Sequence, residues 1–119
     1  MAYKIGIDIV DVADFKRSIN RTKSLKYKLF TSHEIDYCRK KGLEHLASRF
    51  AAKEAFFKAC NAGGISWKDV EIRNIESGKP EIVLGKKAKS RFNFSLIEVS
   101  LSQTGKNAVA VVLVDYSKK

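Results

Sequence analysis

The sequence has two cysteines, two histidines and no apolar run longer than Ala108 to Val114. Cys38 and Cys60 form no CxxC pair, and no histidine stands at zinc spacing, so neither a disulfide scaffold nor a zinc module is expected. Both cysteines read as reduced thiols. The run at 108–114 is far too short to cross a bilayer, and Met1-Ala2-Tyr3-Lys4 has no signal-peptide core. The expected location is the cytoplasm, with no membrane role. Repeats, linkers and low-complexity stretches are also missing, and 119 residues suffice for one self-sufficient core. A single domain over 1–119 is expected.

What the chain has in excess is positive charge. Lysine and arginine number 23 against 13 acidic residues, a net charge of +10. That excess calls for an acidic partner: nucleic acid, anionic lipid, a phosphorylated small molecule or an acidic protein. Residues 16–28 concentrate it, with Lys16, Arg17, Arg21, Lys23, Lys26 and Lys28 and no acidic residue. The run is either a solvated face or a docking surface. Aromatic residues are sparse there, which argues against a stacking platform for single strands. No zinc-finger or RNA-recognition signature supports nucleic-acid binding.

The order of elements predicts an α+β fold with a largely antiparallel sheet. Alternation over Lys4–Val10 predicts a strand with Ile5, Ile7 and Ile9 on one face and Gly6 and Asp8 on the other. Asp11 with Asp14 predicts a cap opening a short helix to Asn20. Thr31 with Glu34 predicts a capping box for a helix to about Lys41. A long helix is predicted from Leu43 to Asn61, stopping at Gly63-Gly64. Strands are predicted at 70–74 and 81–84 around a turn at 76–80, then a brief helix over 86–92. A hairpin of Ile97–Leu101 with Ala108–Val114 closes the chain. The far side of the long helix carries Ala52, Ala55, Phe56 and Ala59. The expectation is that another subunit covers part of it.

The long helix places Glu54 inside an apolar stripe made by Leu43, Leu46, Ala47, Phe50 and Phe57. A carboxylate there is paired, protonated or metal-bound. Lys58 at i+4 is one candidate partner, and a metal ion is the other. Asp8, from a separate element, gains weight beside it, because two carboxylates plus waters and phosphate oxygens are a common seat for Mg²⁺. Arg49, Lys53 and Lys58 then read as phosphate partners. Ser100 to Thr104 reads as a polar strand end, and His33 and His45 read as surface residues.

Taken together, the residues resemble the holo-acyl-carrier-protein synthase family, the small phosphopantetheinyl transferases. The resemblance rests on Gly6-Ile7-Asp8-Ile9-Val10, the run Arg49 to Ala59, Trp67 to Ile72, Gly78-Lys79-Pro80 and the Ser100 to Thr104 strand end. It implies a sheet packed on a long central helix and a homotrimer with active sites between subunits. It implies transfer of 4′-phosphopantetheine from coenzyme A to a serine of acyl carrier protein, with Mg²⁺, releasing adenosine 3′,5′-bisphosphate in the service of fatty acid synthesis. Asp8 and Glu54 fall on the family's metal positions and Lys58 on its lysine near the reacting phosphate. Arg49, Lys53, Lys58, Lys79, Ser102, Gln103 and Thr104 fall on positions expected to hold coenzyme A. Lys16, Arg17 and Arg21 become the expected docking face for acidic carrier protein. Two residues depart from the family pattern. Gln103 stands where relatives carry histidine, and Asp14 stands where many carry a basic contact. A noncatalytic binding module on the same fold and a basic nucleic-acid-binding protein are the competing readings.

Overall fold

The computed structural model describes residues 2–61 and 63–116. Its central feature is one long helix wedged between a three-stranded sheet and a cap of short helices. Strand β1 (Tyr3–Asp11) leads into α1 (Val12–Arg21), α2 (Leu25–Leu29), α3 (Ser32–Cys38) and the long α4 (Leu43–Cys60). A 3₁₀ turn at Trp67–Asp69 opens β2 (Val70–Asn74), followed by β3 (Pro80–Leu84), α5 (Lys86–Arg91), β4 (Leu96–Gln103) and β5 (Asn107–Asp115). The first sheet has the order β1-β5-β4, and β2 with β3 forms a second sheet of two strands. All pairings are antiparallel.

Local chemistry explains the element boundaries. The Asp11 side chain accepts from the Asp14 amide at 2.9 Å and opens α1. Thr31 and Glu34 form the reciprocal capping box that starts α3. Asn61 ends α4 in the left-handed conformation, at φ 49°, so an asparagine takes the role expected of Gly63-Gly64. Two elements were absent from the sequence reading: α2, inside the basic run, and the 3₁₀ turn at Trp67.

The wedge explains why α4 is apolar nearly all round. One side, with Ala51, Ala55, Phe56 and Ala59, packs on Val99, Ala110, Val112 and Val114 of the sheet and on Val70 and Ile72. The other, with Leu46 and Ala47, meets Val12, Phe15, Ile19, Phe30 and Ile35. Fully burying a side chain such as Phe56 contributes roughly 1.5–3 kcal/mol. The cover expected from another subunit is therefore supplied by the chain's own elements. What lies open is the outer face of the sheet, where Ile5, Ile7 and Ile9 are 68%, 60% and 65% exposed. They stand in register with Leu113, Val111 and Val109 of β5. Cys38 and Cys60 are free and buried. Burial pushes the Cys60 thiol up to about 11, which disfavours the reactive thiolate.

Gly6 sets the distance between β1 and α4. A Cβ built there would lie 2.0 Å from the Ala55 carbonyl oxygen and 2.8 Å from the Ala59 nitrogen. Only glycine lets the strand backbone rest on the helix backbone. Asp8, two residues on and on the same face, is thereby delivered to the helix.

Candidate active site

That close approach brings Asp8, Glu54 and Lys58 together. The Lys58 ammonium donates to Asp8 Oδ1 at 2.9 Å and to the Ile7 carbonyl at 3.1 Å. The sequence had offered Glu54 as its i+4 partner, but the lysine reaches across to the strand instead. Among the described residues Glu54 has no hydrogen-bond or ion-pair partner. Burial, and after it the neighbouring Asp8 carboxylate, raise its pKa above the ordinary value, with Lys58 pulling the other way. Two close carboxylates, one of them unpartnered and partly desolvated, form a donor set that suits a hard divalent cation. Among the described residues, no group of three or more His, Cys, Asp or Glu gathers as a metal cluster. Water and substrate oxygens would have to complete any coordination shell.

Asp8 and Glu54 line a cavity of about 590 Å³ whose walls include Val10, Phe15, Leu25, Leu29, Phe50 and Trp67. Phe50 and Trp67 stack with centroids 5.3 Å apart. The site is thus a pair of carboxylates and a half-exposed ammonium at the edge of a largely apolar trough. Apolar walls beside the carboxylates lower the local dielectric and strengthen charge interactions there.

The remaining site candidates are distributed differently. Lys53 is fully buried and donates to Glu34 Oε1 at 2.8 Å, to the Leu29 carbonyl at 2.8 Å and to the Trp67 carbonyl at 3.0 Å. Its three protons are spent inside the protein, so it is a structural residue and not the coenzyme A contact expected. Arg49 is 3% exposed. It donates to the His45 carbonyl, Ser48 Oγ and Asn74 Oδ1 and lies over the Tyr37 ring at 4.9 Å. Nine residues separate it from Lys58, which is half a turn of helix phase, so the two leave α4 on opposite sides.

Lys79 is exposed and 3.5 Å from Glu98. Ser102 points to the outer face of β4, and Gln103 points inward. Thr104 Oγ1 accepts from the amides of Lys106 and Asn107, which commits it to the hairpin turn. On α1, Arg17 pairs with Asp14 and Lys16 lies 3.8 Å from Glu44. Arg21 is exposed. His45, read from sequence as a surface residue, is partly buried against Gln103, with the amide nitrogen 2.9 Å from Nδ1. A sequence separation of 58 hid that contact from sequence reasoning.

A family model described as the 4′-phosphopantetheinyl transferase superfamily matches residues 4–114. The chain is 46% identical to the holo-[acyl-carrier-protein] synthase of Geobacter metallireducens, over 97% of this chain and 98% of the relative. It is 34% identical to the Clostridium kluyveri protein of the same name, over 99% of this chain and 93% of the relative. The solved structure of Helicobacter pylori holo-[acyl-carrier-protein] synthase in complex with coenzyme A superimposes with a TM-score of 0.85. It is 32% identical and covers 93% of this chain and 99% of its own. The Neisseria meningitidis structure gives a TM-score of 0.88 at 29% identity, covering 97% and 99%.

Proposed function

Since the chain belongs to the 4′-phosphopantetheinyl transferase superfamily, we propose that it converts apo acyl carrier protein to the holo form. It takes 4′-phosphopantetheine from coenzyme A and places it on a carrier serine, for fatty acid synthesis in the cytoplasm. The serine Oγ bonds to the phosphorus that bears pantetheine. The bond from that phosphorus to the bridging oxygen breaks, and adenosine 3′,5′-bisphosphate leaves with the electron pair while the serine gives up its proton. The observation that carries this reading is the Asp8–Glu54 pair with Lys58 beside it at the rim of the apolar trough.

Asp8 and Glu54 would hold Mg²⁺. When bound, the ion neutralises charge on the diphosphate oxygens. Lys58, whose side chain is 54% exposed, has the reach to leave Asp8 and donate to a phosphoryl oxygen as charge builds there. Phe50 and Trp67 keep water from the acceptor side of the site. Arg49 and Gln103 stand on the far side of α4, so one coenzyme A spanning both groups needs two copies of the chain. The open face of Ile5, Ile7 and Ile9 supports that reading, and we assign the working form as a homotrimer packed through it.

The test is intact-mass analysis of apo acyl carrier protein incubated with this protein, coenzyme A and Mg²⁺, with a chelator control. The expected result is a gain of one phosphopantetheine group that disappears on chelation. A folded, coenzyme A-binding protein that modifies no carrier overturns the proposal.

Lys16, Arg17 and Arg21 are proposed to receive the acidic carrier. Opposite charges at such a surface act mainly on encounter and orientation. Charge reversal at Lys16 and Arg17 together is expected to raise the KM for carrier protein about tenfold at low salt, with the KM for coenzyme A unchanged. The difference shrinks at high ionic strength. Equal effects on both substrates would remove the docking assignment.

A further inference from the structure

Lys58 stands where the Asp8–Glu54 pair would welcome a cation. Its ammonium holds Asp8 Oδ1 at 2.9 Å and the Ile7 carbonyl oxygen at 3.1 Å. Glu54, four residues earlier on the same helix, is left without a hydrogen-bond or ion-pair partner among the described residues. Both oxygens that Lys58 holds belong to β1, which Gly6 sets down on the backbone of α4. The Asp8 side chain is 15% exposed and that of Lys58 54%. The fold therefore fixes the carboxylate, whereas the ammonium reaches it on a stem with room to swing into solvent.

An ammonium and a divalent ion compete for the same oxygens. Like charges a few ångströms apart repel strongly even near a protein surface, and a doubly charged ion doubles the effect. The attraction between one half-exposed lysine and one carboxylate is small by comparison. When the two compete for Asp8, it is the lysine that gives way.

We propose that Lys58 is a resident counter-cation, which yields Asp8 to the metal and is thereby released toward the substrate. This rests on the reading of Asp8 and Glu54 as the seat of Mg²⁺. In the metal-free protein Lys58 offsets the mutual repulsion of two close carboxylates, and its protons are committed to protein oxygens. Once displaced, it has protons free for a phosphoryl oxygen. Metal uptake and lysine release are then one event, so that a site with its metal in place is also a site with its lysine available. Linkage sets the cost: whatever the contact adds to the stability of the metal-free protein is subtracted from its affinity for the ion.

The experiment compares the full-length parent with Lys58→Met, whose stem keeps the shape of lysine without its charge, and uses Mg²⁺ alone as the probe. Without metal the variant is expected to unfold at a lower temperature than the parent. At saturating Mg²⁺ the two are expected to unfold together, because the contact that distinguishes them is then broken in the parent as well. Calorimetric titration is expected to show the variant binding Mg²⁺ about fivefold more tightly, which is the reach of a half-exposed ion pair. A crystal structure of the parent grown with Mg²⁺ is expected to show the Lys58 ammonium beyond hydrogen-bond distance of Asp8. An ammonium that stays on Asp8 beside a bound ion overturns the proposal. So does a variant that binds Mg²⁺ no more tightly than the parent, or one whose stability deficit persists at saturating Mg²⁺. A parent that binds no Mg²⁺ at all is a different failure, since it removes the metal seat on which the proposal stands.

Discussion

Lys53→Met is expected to lower the stability of the protein by about 3–5 kcal/mol, the typical result of removing one partner from a buried ion pair. That is a large part of the roughly 5–15 kcal/mol by which a domain is stable. Methionine matches the stem but abandons three acceptors at once: Glu34 Oε1 and the carbonyls of Leu29 and Trp67. Glu34 also accepts from the amides of Thr31 and Ile72. The pair therefore joins α4 to α3, to the end of α2, to the 3₁₀ turn and to β2. Both side chains are completely buried, so solvent cannot step in for the lost partner. Equilibrium denaturation in urea measures the loss. Glu34→Gln is the control, because Glu34 cannot touch a ligand yet is expected to destabilise the fold as well. A Lys53→Met protein as stable as the parent but deficient in coenzyme A binding would restore the sequence-based expectation that Lys53 holds the substrate.

The misreading of Lys53 has a physical source. A lysine in a sequence is read as exposed, because burial of a charge is affordable only with a partner. Here the partner lies nineteen residues away, where Glu34 was already explained as half of a capping box. The capping reading was right and incomplete, since the same carboxylate does both. Short-range rules did well elsewhere. Alternation marked β1 and the β4–β5 hairpin, and helical period marked α4 to within a residue. The α2 helix was lost because five residues among cations carry too little apolar pattern to register. Glu54 was legible because a carboxylate breaks an apolar stripe, and Asp8 because a second carboxylate from a separate element gains weight beside it. That Lys58 would choose Asp8 over Glu54 depends on how closely Gly6 lets the strand approach. No single-element pattern encodes that distance.

Glu54→Gln and Asp8→Asn are each expected to reduce kcat/KM for transfer by at least about 100-fold, roughly 3 kcal/mol of transition-state stabilisation, while the fold survives. The direction of the stability change separates Glu54 from an ordinary structural acid. Its pKa in the folded protein is raised, chiefly by burial and then by Asp8. Between its unfolded value and that raised value the native state binds more protons than the unfolded one, so stability falls as pH rises through this window. Above it the ionised carboxylate is a net burden on the metal-free protein. Glutamine keeps the shape and removes the burden, so Glu54→Gln is expected to unfold at a temperature no lower than the parent at pH 7 without added metal. Mg²⁺ binds only the native state and is expected to raise the parent's unfolding temperature; it should leave that of Glu54→Gln nearly unchanged. Calorimetric melting with and without Mg²⁺, set beside the mass assay, reads all three effects. A variant that melts well below the parent in the absence of metal would make Glu54 a structural residue. A variant that transfers phosphopantetheine at the parent's rate would remove it from the metal site.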